Sequence, residues 1–370
     1  MSSLFSPIAV GGLTLPNRAV VSPMCQFSST DGLAMPWHWQ HIGGLALSGA
    51  SAVIMEACAV EPQGRISDAD LGLWNDATED ALRRLIADIR TFSDTAIGVQ
   101  LAHAGRKGSL WSPRSGNAGW QRPEQGGWTP DAPSPIAFDA KYATPNALDE
   151  AGLARVLQAF VDSARRADAA GFDLIELHGA HGYLLHEFVS PLSNHRADGY
   201  GGSPENRMRF PLEVARAVRA VWPSSKAVGV RITGSDWTEG GITPDDAAVY
   251  AQALEAAGMD YVCVSSGANT PTPPPNPAQP AYQTPFAERV KAAVDIPVMA
   301  VGMIVTPQQA EDIVASGRAD MVALARGFLD DPRWAIHAAA ELGAPPPIAP
   351  QYRGASPVAW PGYAMAHAKG

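Results

Sequence analysis

The chain has 370 residues, of which 46% are hydrophobic and 17% charged, so a large buried core is expected and global disorder is excluded. A net charge of −10 without a basic stripe argues against nucleic-acid binding, and there is no apolar stretch of about 18 residues that would predict a membrane span. The three cysteines are scattered and the first residues show no signal-peptide pattern, so we expect a reducing, cytoplasmic location.

Eight short apolar segments recur along the chain, with room for a helix between most of them. Their near-continuous apolarity is typical of parallel strands that are covered on both faces. The predicted strands are residues 19–24, 52–57, 97–102, 173–178, 228–233, 261–266, 297–302 and 321–326.

Helical patterns separate these strands. The clearest covers residues 149–170, where apolar side chains recur every three to four residues and form one stripe. Asp149 is its predicted N-cap, and Gly171 is predicted to end it. Further helices are predicted over residues 244–257, from Thr306 and Pro307 onward, and over residues 331–342.

Eight strands with seven crossovers and a closing helix predict an α/β fold of the (β/α)8, or TIM, barrel type over residues 1–343. A doubly wound open sheet is the alternative. Residues 107–147 are too long for a simple connection after the third strand, so we expect an excursion over the barrel mouth, either a lid or a surface loop. Residues 344–370 form an aromatic-containing tail that we expect to dock, with a neighbouring subunit as one candidate surface.

The segment HGAHGY, residues 178–183, directly follows the fourth predicted strand, and functional groups of such barrels gather at the carboxyl ends of strands. One interpretation is a metal site in which Glu56 or His103 joins the two histidines. In a second, neutral His178 and His181 donate to one carbonyl oxygen and Tyr183, with a pKa of about 10, acts as general acid. A packed cluster without chemistry is the third.

The last two strand ends resemble a phosphate site. Gly302 allows close approach of the backbone, and Arg326 can form a bidentate contact with a dianion. The alternative for Arg326 is an ion pair with Asp330 or Asp331.

Three further strand-end residues carry polar or redox-active groups. Arg231 and Gln100 suit a heteroaromatic ring with an N–C=O edge, although Gln100 can equally be a core amide. Cys25 could be a nucleophile, a metal ligand or a group that tunes a redox cofactor. No neighbouring cation lowers its pKa, so the nucleophile is disfavoured.

Long motifs resemble the old yellow enzyme family of FMN-dependent ene-reductases over nearly the whole chain. They are LPNRAVVSPMCQF at residues 15–27, GVQLAHAGRK at 98–107 and, most specifically, GFDLIELHGAHGYLLHEFVSPLSNHRADGYGGSPENRMRF at 171–210, with VGVRIT, MAVGMI and ALARGFL. Cys25 and the His-x-x-His pair resemble the bacterial subgroup that includes xenobiotic reductases and thermophilic-like enzymes.

The resemblance implies a homodimer or homotetramer that reduces the C=C bond of enones, maleimides or nitroalkenes. NADPH, or NADH, would reduce FMN, flavin N5 would deliver hydride to the alkene, and Tyr183 would deliver the proton. His178, His181 and Phe27 would contact the substrate. The residues that the resemblance assigns to FMN are Pro23, Met24, Cys25, Ala57, Gln100, Arg231, Gly302, Ala325 and Arg326.

Departures from the family pattern concern three places. Phe27 stands where tyrosine is common, which removes a hydroxyl near the substrate, and Ala325 stands where glycine is usual beside the phosphate. In the tail, Arg353 and Trp360 are candidates for reaching a neighbouring subunit's site. A metal-dependent hydrolase using His178, His181 and Glu56 remains an alternative function, as does a flavin-binding sensor, against which the retained Tyr183 argues.

Overall fold

Eight parallel strands close into a barrel in which neighbours in sequence pair with each other and the last strand pairs with the first. The structure is a computed structural model and describes residues 2–366. The predicted (β/α)8 barrel is therefore confirmed, and the alternative of an open doubly wound sheet is wrong. The barrel strands are β1 (Ala19–Val21), β2 (Ala52–Ala59), β3 (Ala96–Ala102), β4 (Leu174–Gly179), β5 (Ala227–Thr233), β6 (Tyr261–Ser265), β7 (Val298–Val301) and β8 (Met321–Leu324).

Helices cover the outside of the barrel. The helix predicted over residues 149–170 is α3: the Asp149 side chain accepts a hydrogen bond from the Gly152 N–H, and Gly171, with φ +91°, ends it. No helix within residues 2–366 combines the length and apolarity needed to cross a bilayer. The α-helices are α1 (Pro36–Leu45), α2 (Asp76–Arg90), α3 (Glu150–Ala170), α4 (Leu184–Val189), α5 (Pro204–Val221), α6 (Pro244–Ala256), α7 (Thr284–Lys291), α8 (Pro307–Ala315), α9 (Arg326–Asp330), α10 (Trp334–Glu341) and α11 (Tyr363–Ala366).

The closing helix differs from its prediction over residues 331–342. Within this range the helix is α10, which begins three residues later than predicted; α9 precedes the range, and the chain between the two is not helical. Asp331 adopts φ −122° and ψ 92° because the ring of Pro332 disfavours a helical residue before it. The first and last barrel strands also end sooner than predicted, at Val21 and Leu324.

Two separate apolar cores follow from the alternation of side chains along the strands. The larger lies between the strands and the helices, and the smaller fills the amino-terminal end of the barrel interior. A hairpin of strands Ile8–Val10 and Leu13–Leu15 packs against this interior core. Along β4, Leu174 belongs to the interior core, so Glu176 and His178, on the same face, lie progressively nearer the carboxyl end.

Residues 107–147 are packed against the barrel rather than detached from it. Leu110 forms β-bridges with Ser67 and with Trp120, and short strands at Asp131–Ala132 and Asn146–Ala147 pair with each other. Short 3-10 helices occur at Pro62–Gly64, Gly105–Lys107, Pro123–Gln125 and Pro350–Ala355. Of the predicted tail, residues 367–370 lie outside the described part of the chain.

Candidate active site

The strand register brings the predicted site residues to neighbouring positions around the barrel. Gln100 on β3 is paired with Ala57 on β2 and with Glu176 on β4. One step further toward the carboxyl ends, His178 on β4 is paired with Arg231 on β5. Residues that are far apart in sequence therefore form one polar layer above the interior apolar core.

A register shift between Met55 and Ala57 makes Glu56 the extra residue of a β-bulge. Its carboxylate accepts a hydrogen bond from the Gln26 backbone N–H at 2.8 Å and lies 3.3 Å from His38 Nε2. Glu56 thereby holds the segment that follows β1, which carries Cys25.

The residues proposed as additional metal ligands are engaged elsewhere. Glu56 faces His38, as above, and His103 Nε2 lies 3.0 Å from Glu61 Oε1. Across residues 2–366, no three histidine, cysteine or acidic side chains are arranged to hold a metal ion. The geometry thus gives no support to a hydrolase built on His178, His181 and Glu56.

The two histidines of HGAHGY present one nitrogen each to a common point. His178 Nε2 and His181 Nδ1 lie 3.4 Å apart. His178 Nδ1 accepts the Ala180 backbone N–H at 3.3 Å, which leaves the ring proton on Nε2. The Ser265 hydroxyl lies 2.7 Å from His181 Nε2 and 3.3 Å from Gln283 Oε1. When it donates over the shorter distance, to His181 Nε2, the ring proton of His181 resides on Nδ1. In that tautomer, one oxygen placed beside both nitrogens can receive two N–H bonds.

Burial sets the protonation of this cluster. Desolvation, together with the positive charges of Arg231 and Lys107, lowers the pKa of His178 and His181 well below 6.5, so both rings are neutral at pH 7. Tyr183 lies edge-to-face with His178, with ring centroids 4.7 Å apart. Burial raises the pKa of Tyr183 well above 10, so its phenol carries a proton that it can donate.

Lys107 is part of this cluster, and the sequence analysis did not identify it. Its ammonium group donates to the carbonyl oxygens of His181 and Ala268, each at 2.9 Å, and lies 5.0 Å from the centroid of the Tyr183 ring. Burial lowers the pKa of Lys107 to about 8. A signal was present, because Lys107 closes the GVQLAHAGRK motif at the mouth of the barrel.

Below the histidines, a buried network links Gln100, Glu176 and Arg231. Gln100 Nε2 donates to Glu176 Oε1 at 2.7 Å, and Arg231 Nη1 donates to the Ser22 hydroxyl at 2.9 Å. Arg231 Nε is buried and has no hydrogen-bond partner among the described residues. An acceptor from a bound molecule would satisfy it. Glu176 was also missed, although a carboxylate inside an apolar strand is a visible signal.

At the last two strand ends, Gly302 follows β7 and Arg326 begins α9 after β8. Gly302 has φ +108°, a backbone conformation that residues with a side chain rarely adopt, and a Cβ there would lie 1.9 Å from Gln283 Nε2. Arg326 is exposed, with Nη2 3.9 Å from Met303 Sδ. Its alternative partner Asp331 instead contacts His337 Nδ1 at 2.6 Å. Ala325, the N-cap of α9, lies between β8 and Arg326.

The segment after β1 supplies a half-buried edge to the site: Pro23, Met24, Cys25 and Phe27. Burial, with the nearby carboxylates Asp70 and Glu56, raises the pKa of the Cys25 thiol well above 9.0. Cys25 is therefore a thiol rather than a thiolate, which agrees with disfavouring it as a nucleophile.

Comparison with known proteins gives consistent matches. Residues 3–344 match the model of the NADH:flavin oxidoreductase / NADH oxidase family. An NADPH dehydrogenase of Geobacillus sp. (strain WCH70) is 45% identical over 92% of this chain and 94% of its own. The NADPH dehydrogenase of Bacillus subtilis (strain 168) is 42% identical over 94% and 98%.

Solved structures show the same architecture. Morphinone reductase in complex with tetrahydroNAD superposes with a TM-score of 0.75 at 27% identity, covering 92% of this chain and 91% of its own. A 2-naphthoyl-CoA reductase complex gives a TM-score of 0.80 at 23% identity, over 93% of this chain and 52% of its own, which is a likeness of fold.

The barrel and its matches define the class of barrel flavin oxidoreductases. The chain belongs to the NADH:flavin oxidoreductase / NADH oxidase family. The old yellow enzyme resemblance is thereby confirmed, and with it an enzyme that uses FMN and a reduced nicotinamide. Two features of the site fit such a cofactor: the buried Nε of Arg231, which has no partner among the described residues, and the positive φ of Gly302, which favours a residue without a side chain.

Proposed function

We propose that this protein reduces the C=C bond of activated alkenes such as enones, maleimides and nitroalkenes. FMN, when bound, would store two electrons between the reduced nicotinamide and the alkene. The observation that carries the proposal is the 3.4 Å approach of His178 Nε2 to His181 Nδ1 beside the Tyr183 ring. NADPH is the expected reductant, because the relatives named above are NADPH dehydrogenases.

The histidines bind and polarise the electron-withdrawing group of the alkene. Each neutral ring donates one N–H to the substrate oxygen, and these bonds strengthen as negative charge develops on that oxygen. Tyr183 donates a proton to the α-carbon as general acid. Phe27, at the edge of the same site, offers an apolar surface in place of a hydroxyl, and we infer a preference for less polar substrates.

Residues from six strand ends would hold the cofactor. Pro23, Met24 and Cys25 would contact the ring, and the thiol of Cys25 would tune its potential. Ala57 and Gln100 would contact its polar edge. The Arg231 N–H that has no partner among the described residues would donate to a carbonyl oxygen there, and its positive charge would favour the reduced form. The residues assigned to the phosphate are Gly302, Ala325 and Arg326.

The substitution Tyr183→Phe tests the proposal because it removes the phenol hydroxyl, and with it the proton to be donated, at little cost in volume. Stopped-flow mixing with NADPH should show flavin reduction unchanged. Re-oxidation by 2-cyclohexenone should slow by about 100-fold or more, the usual contribution of a general acid. An unchanged re-oxidation rate would identify water or another side chain as the donor. A wild-type protein that binds FMN but transfers no hydride to any alkene would instead be a flavin-binding sensor.

A further inference from the structure

A small cavity lies between Tyr183 and the loop after β2. Its volume of about 10 Å³ corresponds to about one water molecule. The side chains of Asp70 and Tyr183 line it, and the remaining lining residues are four alanines, one glycine and one isoleucine. Asp70 and Tyr183 are therefore the two lining side chains that can exchange a proton.

Asp70 is buried, with 3% of its surface exposed. Its carboxyl group accepts hydrogen bonds from the Ile66 backbone N–H and from the Ser67 hydroxyl, each at 2.7 Å. Both donors are neutral, and the nearby Arg65 guanidinium donates to the carbonyl oxygens of Pro62 and Asp68 instead. A buried carboxyl group without an ion pair holds a proton more readily than one in water.

The proposed function creates a need for such a group. Each turnover leaves Tyr183 as a phenolate that is buried beneath bound substrate and must regain a proton. We propose that Asp70 returns this proton to Tyr183 through one water molecule in the cavity, an inference that rests on the proposed alkene reduction.

The transfer balances without a further reactant. The O–H bond of Asp70 breaks while the water gains a proton, and the water passes another proton to the phenolate oxygen. Asp70 is left as a carboxylate, and it regains a proton from solvent between turnovers.

Asp70 differs in pKa from the titratable groups that face it, and it is the one of them that exchanges a proton near neutral pH. Burial raises the pKa of Asp70 to about 7, with a further contribution from Glu56. Cys25 and Cys58 have pKa values raised well above 9.0 by burial and stay protonated. Burial lowers the pKa of Arg65 from 12.5, but the guanidinium remains charged at pH 7.

The test compares Asp70→Asn with Asp68→Asn in the FMN-loaded protein. An amide at position 70 can still accept from the Ile66 N–H and donate to the Ser67 hydroxyl, so the loop keeps both bonds. Asp68→Asn makes the same side-chain replacement on the exposed side of the same loop. Both variants are assayed in a single turnover, in which pre-reduced protein meets 2-cyclohexenone, and in the steady state.

We expect Asp70→Asn to leave the single turnover unchanged, because Tyr183 begins protonated, and to lower the steady-state rate about tenfold or more. Asp68→Asn should leave both unchanged. A second measurement needs no turnover: one infrared carbonyl band of a protonated carboxyl group, with a midpoint near 7, should be present in wild type and lost in Asp70→Asn. The band of Glu187, whose pKa burial raises to about 8, should remain in both proteins.

Equal steady-state rates for wild type and Asp70→Asn would overturn the relay. An Asp70→Asn variant that is slowed equally in the single turnover and in the steady state would also overturn it. These failures differ from failure of the proposed function, in which wild type itself would not reduce the alkene. A carbonyl band that is already lost well below pH 7 would also overturn it, because Asp70 would then carry no proton to give.

Discussion

Two neutral imidazoles that face one point are the residue-scale feature on which substrate binding depends. Because the pKa of both His178 and His181 lies well below 6.5, the affinity for an enone without ionisable groups should stay constant between about pH 7 and pH 6, a range in which Lys107, with a pKa of about 8, keeps its proton. His178→Ala should weaken this affinity about tenfold, since one of two hydrogen bonds is lost. Titration of the oxidised protein, followed by the flavin absorption, measures both. Affinity that falls steadily from pH 7 to pH 6 would contradict the neutral pair.

Lys107 fixes the backbone of His181, one of these two histidines, by a hydrogen bond to its carbonyl oxygen. It bonds the carbonyl oxygens of His181 and Ala268, and both residues have positive φ, 59° and 66°. Such backbone persists only where its surroundings hold it. Lys107→Met keeps the apolar stem and removes the donors, so it should weaken 4-hydroxybenzaldehyde binding about tenfold and lower the unfolding free energy by about 1–3 kcal/mol. Lys107→Arg is the matched variant that keeps charge and donors and should recover part of the binding.

At the scale of elements, the barrel strands were predictable because strands covered on both faces are apolar throughout. Such a run is visible in the sequence without knowledge of the strands that pair with it. Helices α3, α6 and α8 were predictable from N-cap residues such as Thr243 and Thr306 followed by an apolar stripe. The N-terminal hairpin was missed because its strands have three residues each, which is too short to show an alternation of apolar and polar residues.

The contents of the site were predictable in part. Residues at strand ends could be named because the fold gathers those ends at one face. Lys107 and Glu176 carried a signal in the sequence, a motif position and a carboxylate in an apolar strand, but their roles depend on their neighbours in space. Asp70 carried no such signal. Gln100 beside Glu176 and the cavity between Asp70 and Tyr183 arise from strand register and loop packing, which residue types alone do not specify.

One carboxylate joins three elements around the excursion. Glu61, just after β2, bonds His103 at 3.0 Å and Arg155 of α3, and Arg155 also bonds Asp131 of the excursion at 2.6 Å. Burial alone would raise the pKa of Glu61, but the bonds from His103 and Arg155 outweigh it and lower the pKa to about 2.

Glu61→Gln should therefore lower the unfolding free energy by about 2 kcal/mol at pH 7, measured by urea denaturation. The folded pKa lies below the unfolded value of about 4.5, so the stabilisation is complete above pH 4.5 and is lost as the pH falls toward 2. The difference between wild type and variant should shrink over that range. Asp162→Asn, an exposed change on α3, is the control and should cost less than about 1 kcal/mol. A constant difference from pH 7 to pH 2 would show that Glu61 acts through packing alone.

At the scale of the whole molecule, the tail after α10 exposes several apolar side chains to solvent. Tyr352 contacts the Arg333 guanidinium, 4.4 Å from its ring centroid, which fixes the start of the tail on its own barrel. Beyond it, Val358 is 94% exposed, Met365 81% and Trp360 43%. Side chains of this kind so close together favour contact with a second subunit, as expected for a homodimer or homotetramer.

Deletion of residues after Gly343 should therefore reduce the number of subunits in the assembly, measured as its mass in sedimentation. It should also disturb alkene reduction if Arg353 or Trp360 of the tail reaches a neighbouring subunit's site.

The double variant Val358→Asp, Met365→Asp should also reduce the mass of the assembly while leaving the barrel folded, because a charge in an apolar contact is costly. Val249→Asp is the matched control: it is 51% exposed on α6, far from the tail in sequence, and should change nothing. Arg353→Ala then separates assembly from catalysis, since it removes the guanidinium and keeps the apolar surface. An unchanged mass after the deletion would mean that the tail packs on its own subunit, whereas a reduced mass with full activity would show that assembly does not complete the site.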